Sequence, residues 1–194
     1  ICLNHAAMPY GDAAIAAMSV VSRIMNFASS ALIGFGQGFQ PVCGFNYGAQ
    51  LYGRVRRAFW FCVKVSTVCL VVIAVAGACF SSQLIALFRD DPVVVEYGTT
   101  ALRLQWLSFP TVGFVTMSNM MLQTIGRTRP ATVLAMGRQG LFFLPFILVL
   151  PGFWGMLGVQ LSQPLADLLT FVIAVPIQLR VLRQMARLPE AERL

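Results

Sequence analysis

Long runs without a charged side chain constrain the fold of this sequence most. Of its 194 residues, 58% are hydrophobic and only 11% are charged, whereas a soluble domain carries about 25% charged residues. A transmembrane helix needs roughly 20 consecutive apolar residues. The runs therefore predict an all-α, polytopic membrane helix bundle with five full spans. The predicted spans cover residues 13–39, 58–84, 94–123, 131–150 and 157–179.

Both ends of the sequence lie outside these five spans. The opening ICLNHAAM, residues 1–8, is apolar but too short to cross a bilayer. It has neither the basic flank nor the small-residue cleavage site of a signal peptide. We therefore expect it to be the end of a sixth helix and the sequence to be a fragment. Residues 180–194 are predicted to form a tail outside the last span.

The basic residues alternate between the predicted connections and indicate an orientation. Arginines cluster at residues 54–57, 127–129 and 180–193, whereas the other side has only His5 and Arg89 beside several acids. Because connections rich in Lys and Arg stay in the cytoplasm, the arginine-rich side is predicted to be cytoplasmic. Since these arginines lie at span ends, they predict a lipid bilayer as the partner and no nucleic acid.

Several kinds of chemistry are excluded. The Gly-rich stretch at 34–50 lacks the spacing and the Lys-Ser/Thr pair of a phosphate-binding loop. Five cysteines include no C-x-x-C pair, and His5 is the only histidine, so no metal site is expected. A nucleophile paired with a base is also missing. The sequence predicts neither an enzyme nor a bound cofactor.

Polar residues recur at helical spacing in the first and last spans, which predicts a shared polar interior. Arg23 and Asp167 lie deep in these spans, where an ionisable group costs at least about 2.5 kcal/mol unless it faces a cavity or a partner. Arg138 is near enough to the middle of its span to reach toward Asp167. The two stripes comprise Ser19, Ser22, Arg23, Asn26, Ser29, Ser30 and Gln37, and Gln160, Gln163, Asp167 and Thr170.

Two interpretations of Asp167 remain open. It forms a structural ion pair with Arg138 or Arg23, or it binds a proton, a cation or substrate in a polar cavity. Prolines inside the apolar spans favour the cavity, because freed backbone carbonyls in a membrane need protein or water to satisfy them. These prolines are Pro110, Pro145, Pro164 and Pro176.

The Gly-rich stretch closely resembles the signature of the multidrug and toxic compound extrusion (MATE) transporters. The match comprises GQGFQP at residues 36–41 and GFNYGA at 44–49. Later segments match in order, namely QTIGR at 123–127, RQ at 138–139 with Pro145, and QPLAD at 163–167. The resemblance covers essentially the whole chain and points to the carboxy-terminal six-helix lobe of a twelve-helix prokaryotic member.

The resemblance implies a secondary active antiporter that exports drugs or other small organic cations in exchange for protons or sodium ions. It further implies a missing amino-terminal six-helix lobe as partner, and a location in the cell (inner) membrane with a cytoplasmic carboxy terminus. The Gly-rich motif is expected to end the first full helix and to act as a gate or hinge, with amide side chains bonding the freed backbone. Its residues are Gly36, Gln37, Gly38, Gln40, Pro41, Gly44, Asn46, Tyr47 and Gly48.

The candidate substrate or ion pathway comprises Arg23, Asn26, Arg138, Gln163 and Asp167. Family members with coupling acids in this lobe carry them on helices seven and ten. In this sequence the one acidic residue of the span at 94–123 is Glu96, near its outer end. The coupling ion therefore stays unassigned. An apolar wall for cations, or plain packing, is expected from Phe109, Phe114, Met117, Met120 and Met121. Alternative functions are a flippase-type exporter of lipid-linked or anionic substrates and a non-transporting structural subunit.

Overall fold

The computed structural model describes residues 8–189, without the side chains of Arg138 and Gln139. The predicted end of a sixth helix therefore falls almost wholly outside the described residues, as do the last five residues of the predicted tail. Within the described range, seven α-helices follow one another through short connections. They are α1 (Asp12–Gly48), α2 (Tyr52–Cys79), α3 (Ser81–Phe88), α4 (Pro92–Thr124), α5 (Thr128–Met136), α6 (Phe143–Trp154) and α7 (Met156–Ala186).

Helix α4 is the centre of the bundle. It packs against α1, α2 and α7, and α6 packs along α7 on the far side. Because α4 has neighbours on several sides, its buried residues are not confined to one stripe. Ala101, Leu102 and Phe114, which point in directions about 100° or more apart around the helix axis, are all buried. The Phe114 ring makes edge contacts with Phe59 of α2 and Phe171 of α7. The core therefore runs along α4 and joins the first and last helices.

The two ends of α4 are set by local sequence signals. Asp91 caps the start, where its Oδ1 accepts hydrogen bonds from the backbone N–H of Val93 (3.0 Å) and Val94 (3.4 Å). Pro92 occupies the first turn, where a missing N–H removes no helical bond. At the other end Gly126 adopts φ of 78°, a left-handed conformation that glycine tolerates at a helix end. These signals separate α4 from its neighbours on both sides.

The prediction that the Gly-rich motif ends the first full helix is wrong, whereas the span boundary at residue 39 stays a prediction. Helix α1 continues through the Gly-rich stretch and Pro41 to Gly48. A proline in a helix removes one backbone hydrogen bond, but the surrounding turns continue and pack on α4. The amide of Asn46 stabilises this end, since its Nδ2 donates to the carbonyl oxygen of Val42 at 2.8 Å. The expected helix break at this motif is therefore absent from the described residues.

Two of the predicted spans are interrupted in the structure. The segment predicted at 58–84 divides at Phe80 into α2 and α3. The one predicted at 131–150 contains a π-helical segment, Gly137–Leu141, in which the N–H of Phe142 donates to the Gly137 carbonyl at 3.2 Å. Pro145 lies four residues after Leu141, where its ring would clash with the carbonyl of a regular helix. The wider π turn ends at Leu141, the residue whose carbonyl would meet the ring of Pro145 in a regular helix.

The architecture confirms the predicted all-α membrane bundle. Within the part of the chain that is described, α1, α2 and α7 are each long and apolar enough to cross a membrane. Helix α4 has the length, and α5 and α6 together replace a single uninterrupted span. Helix α7 also extends past the predicted span end at residue 179, so the predicted tail begins as helix. The membrane boundaries of the five spans stay predictions.

Candidate functional site

One face of α1 carries polar side chains that the described bundle leaves exposed. Arg23, Asn26, Ser30 and Gln37 are all exposed, and at 3.6 residues per turn they fall within about 60° of one another around the helix axis. Val21, on the opposite side of α1, is fully buried. We call these four residues the polar stripe of α1. It runs along the middle of α1, from Arg23 to Gln37, on the outside of the bundle.

The glycines of the Gly-rich motif divide between the two sides of α1. A Cβ atom on Gly36 would collide with the sulfur of Met120 on α4. A Cβ atom on Gly44 would lie 3.2 Å from Cγ2 of Thr124, also on α4. At Gly34, Gly38 and Gly48, by contrast, a Cβ atom would meet no described atom within 4 Å. Close packing on α4 therefore explains the first two glycines but not the other three.

The remaining motif residues lie at the end of α1 that leads into α2. Gln37 and Pro41 are exposed, and Gln40 is half-buried. The ring of Tyr47 makes an edge contact with Tyr52 at the start of α2, with ring centroids 5.6 Å apart. This contact ties the two helices together across the short connection at residues 49–51. A gate or hinge role for the motif stays a prediction.

Asp167 lies inside the bundle on α7. Its carboxylate is 6% exposed, and Oδ1 accepts a hydrogen bond from Nε2 of Gln163 one turn earlier, at 3.2 Å. The backbone of Arg138 lies in the π-helical segment, but its side chain is outside the described part. The predicted ion pair between these two residues therefore stays a prediction. The geometry brings together Gln163 and Asp167 of the predicted pathway.

The predicted shared polar interior is wrong for this lobe. Gln160 and Thr170 on α7 are each 1% exposed, whereas the polar stripe of α1 lies on the outside. Helix α4 packs against both α1 and α7, and its apolar side chains fill the space between them. Periodicity places residues on one face of a helix but does not say what that face meets. The alternative pairing of Arg23 with Asp167 has no support, because Arg23 is exposed and Asp167 is buried.

The predicted stripe of α7 did not include one polar residue on the same face of the helix. Gln178 is fully buried, and its Nε2 lies 2.9 Å from the sulfur of Met121 on α4. Its Oε1 has no hydrogen-bond partner in the described structure. Gln178 follows Asp167 by three helical turns, so the spacing that identified Gln163 also contained this residue. The buried polar track on α7 is thus longer than predicted.

The aromatic and methionine residues of α4 belong to the core. Phe109, Met117 and Met121 are at most 1% exposed, so they pack against neighbouring helices and do not line an open surface. Of the two alternatives for this group, packing is the correct one. Among the described residues, no three His, Cys, Asp or Glu side chains are close enough to hold a metal ion.

An apolar cavity of about 680 Å³ adjoins the polar stripe of α1. Ser30 belongs to both, and Phe27 and Ala31 of α1 form one wall. Gly77 and Trp106 form part of the opposite wall, and Nε1 of Trp106 is buried without a hydrogen-bond partner in the described structure. The volume is within the range of about 300–1,000 Å³ that is typical of small-molecule sites. Ser30 is the one residue of the polar stripe that lines this cavity.

The chain is similar in sequence to known proteins of one family. The sequence model of the MatE family matches residues 1–149. The multidrug export protein MepA of Staphylococcus saprophyticus is 27% identical over 178 residues, which are 90% of this chain and 38% of that protein. MepA of a Staphylococcus aureus strain is 27% identical over 175 residues, with the same two coverages. The chain thus spans well under half the length of these relatives.

A solved structure shows the same fold. The Vibrio cholerae MATE transporter VcmN in its bent form superimposes with a TM-score of 0.85 at 20% identity, over 93% of this chain and 41% of that one. At this identity the likeness speaks for the fold only, and it agrees with the family match. From the matched sequence model and the shared helix bundle, we conclude that the chain belongs to the MatE family.

Proposed function

We propose that this chain is one lobe of a secondary active antiporter that exports drugs or other organic cations in exchange for protons or sodium ions. The observation that carries the proposal is the exposed polar stripe of α1 beside the apolar cavity of about 680 Å³. A cation with a large apolar body needs both kinds of surface. The similarity of the chain to multidrug export proteins supports the same proposal.

The polar stripe favours a partner lobe. Arg23 is the eleventh residue after Asp12, which places it about 16 Å along the helix. An arginine facing lipid at that depth costs at least about 2.5 kcal/mol. A second six-helix lobe opposite α1 would instead enclose the stripe in a water-filled cleft. The open space at Gly34 and Gly38 would allow close approach of that lobe.

The proposed setting is the inner membrane, with the arginine-rich side in the cytoplasm. The first turns of α2, the loop between α4 and α5 and the end of α7 all carry arginines, as expected for cytoplasmic segments. This orientation places the carboxy terminus in the cytoplasm. It also places the Gly-rich motif at the cytoplasmic mouth of the cleft.

The coupling ion could act at two places. Asp167 is the one acid among the described residues that lies deep in the bundle, and Gln163 hydrogen-bonds it. A carboxylate on the second lobe is the other candidate. Comparing drug uptake into proteoliposomes driven by a pH gradient with uptake driven by a sodium gradient would identify the ion. An effect of Asp167→Asn on the ion dependence would place the coupling in this lobe.

A second candidate function follows from the charge of the stripe. Its one ionised residue, Arg23, is a cation and is exposed, which favours anionic or lipid-linked substrates over cations. The test is Arg23→Gln in the full-length polypeptide that carries this sequence, with transport of ethidium and of a lipid-linked phosphate measured side by side. If the substrates are organic cations, ethidium efflux is unchanged or rises, because a repulsive charge has been removed.

If the substrates are anions, phosphate transport falls and ethidium is not transported by either protein. Arg103→Gln is the matched control, because Arg103 is also exposed but lies on α4 beside the side chains of α2. It should change neither activity. Transport of the lipid-linked phosphate but not of ethidium by the original protein, with a fall in phosphate transport in the Arg23 variant only, would refute the cation proposal.

A further inference from the structure

The first turns of α2 combine basic and aromatic side chains on one face. Arg57, Trp60 and Lys64 succeed one another at steps of three and four residues, which places them in a row along the helix. Arg56 and Phe61 flank this row. Together with Gly53 these residues line a surface depression of about 500 Å³. We call it the basic depression of α2.

The side chains of the basic depression are open to the surroundings of the bundle. Phe61 is 65% exposed and Trp60 is 39% exposed, and the three cationic side chains are exposed as well. None of the residues that line it is acidic. Of the acids in the described part, Asp167 is buried, and the others lie at the opposite helix ends, at Asp12 and in the segment 90–96. The depression therefore carries a local excess of positive charge.

An apolar track continues from the depression along the same face of α2. Val68, Val71 and Val75 follow Lys64 at steps of four, three and four residues, and they are 62%, 42% and 59% exposed. From Trp60, at the cationic end, to Val71 the helix rises about 16 Å, close to the roughly 15 Å thickness of one hydrocarbon leaflet. One face of α2 thus presents a cationic end and an apolar strip of leaflet length.

We propose that this face of α2 binds an anionic phospholipid of the arginine-rich side of the membrane. The phosphate and the negative headgroup contact Arg56, Arg57 and Lys64, and an acyl chain lies along the valine track. Trp60 lies between them, at the level where the amphipathic indole ring is favoured in membranes. The site is distinct from the polar stripe of α1 and does not depend on the proposed transport activity.

Charge and shape together select this ligand. Basic residues next to a membrane attract anionic lipids, whereas the choline of a zwitterionic lipid gains nothing from three cations. A soluble phosphate would use the cations but not the aromatic rings or the valines. Lys64 supports the same ligand, because its position one turn deeper than Trp60 requires its ammonium to reach back toward a headgroup.

Native mass spectrometry of the detergent-solubilised protein tests the proposal. Adducts with phosphatidylglycerol are compared with adducts of phosphatidylcholine for the original protein and for the variant Arg56→Gln/Arg57→Gln/Lys64→Gln. We expect the original protein to prefer phosphatidylglycerol. Each removed charge should lower that preference about fivefold, the ratio that corresponds to about 1 kcal/mol per basic residue near an anionic surface. Excess inorganic phosphate should not displace the lipid.

A matched variant controls for total charge. Arg129→Gln/Arg183→Gln/Arg187→Gln also removes three exposed cations from the arginine-rich side but leaves the depression intact, so its lipid preference should match that of the original protein. An equal loss of preference in this variant would show a diffuse charge effect and overturn the proposal. Displacement by inorganic phosphate would overturn it in favour of a soluble anion.

Tryptophan fluorescence locates the lipid independently of the charge variants. Brominated phosphatidylglycerol should quench the original protein more than brominated phosphatidylcholine does, and Trp60→Phe should remove the difference. The Trp60 ring contacts the buried rings of Phe59 and Phe114, so phenylalanine is chosen because it keeps an aromatic ring at this position. A difference that persists without Trp60 would place the lipid elsewhere and refute the site.

Discussion

Replacing Gly158 with alanine should separate two helices that meet backbone to backbone. Gly158 lies in the first turn of α7, directly against the end of α6. A Cβ atom there would collide with the carbonyl of Leu150 and would lie 2.7 Å from the backbone nitrogen of Pro151. Neither contact involves a side chain that could rotate away. The turn itself is fixed by Gly155, whose φ is 56° and whose carbonyl accepts the Gly158 N–H at 3.0 Å.

The expected cost follows from this contact. Relieving it requires α6 and α7 to move apart by about 1 Å, and overpacking of this kind costs about 1–3 kcal/mol even where side chains can adjust. Because the clash involves only backbone, we expect the upper part of that range. The matched control is Gly152→Ala on α6, where a Cβ atom would meet no described atom within 4 Å. It should be neutral or stabilising by up to about 1 kcal/mol, the difference in helix propensity.

Thermal unfolding of the two purified variants at one scan rate measures the difference. For a domain of this size each kcal/mol shifts the midpoint by about 2–4 °C, so Gly158→Ala should unfold several degrees below the original protein and Gly152→Ala at or above it. Equal midpoints for the two variants would mean that the close approach of α6 and α7 is not a constraint on stability.

Three further predictions concern transport and topology. If Asp167 forms an ion pair with Arg138, Asp167→Asn should lower expression at a cost of about 3–5 kcal/mol, and joint neutral replacement of Asp167 and Arg138 should restore both expression and efflux; an efflux defect in the well-expressed double variant would move Asp167 into the transport mechanism. Gly38→Ala should leave the stability of the lobe unchanged or higher, since the site is open, but should reduce drug efflux by obstructing the second lobe; unchanged efflux would argue against that contact. In a cysteine-free background, cysteine at Asp90 should be labelled from outside intact cells and cysteine at Thr128 only after permeabilisation, and equal labelling from outside would contradict the five-span topology.

Much of the fold could be predicted because its signals are local. Asp91 and Pro92 mark the start of α4, Gly126 follows its end, and the apolar runs between such signals are long enough to cross a membrane. The end of α1 was predicted wrongly because glycine content was taken as a stop signal. In the structure Gly36 provides room for Met120 of α4, so a neighbouring helix decides whether the glycine ends α1 or continues it.

The candidate site was predictable only as separate parts. Periodicity correctly grouped Arg23 with Asn26 and Gln163 with Asp167, because each pair lies within one or two turns of a single helix. It could not show that α4 lies between the two groups, since that is a property of tertiary packing. The same spacing rule would have found Gln178 if the stripe had been followed to the end of α7. The predicted gate or hinge role of the Gly-rich motif would require motion, which neither periodicity nor packing describes.

The length of α1 has a mechanical consequence for the start of α2. Helix α1 has 37 residues, which at 1.5 Å per residue makes a rod of about 55 Å. A tilt of about 10° around its Asp12 end would carry Gly48 sideways by about 10 Å. The three residues that join Gly48 to Tyr52 extend to at most about 11 Å, and the edge contact between the Tyr47 and Tyr52 rings limits the separation further. A small swing of α1 would therefore drag the basic first turn of α2 across the plane of the lipid headgroups.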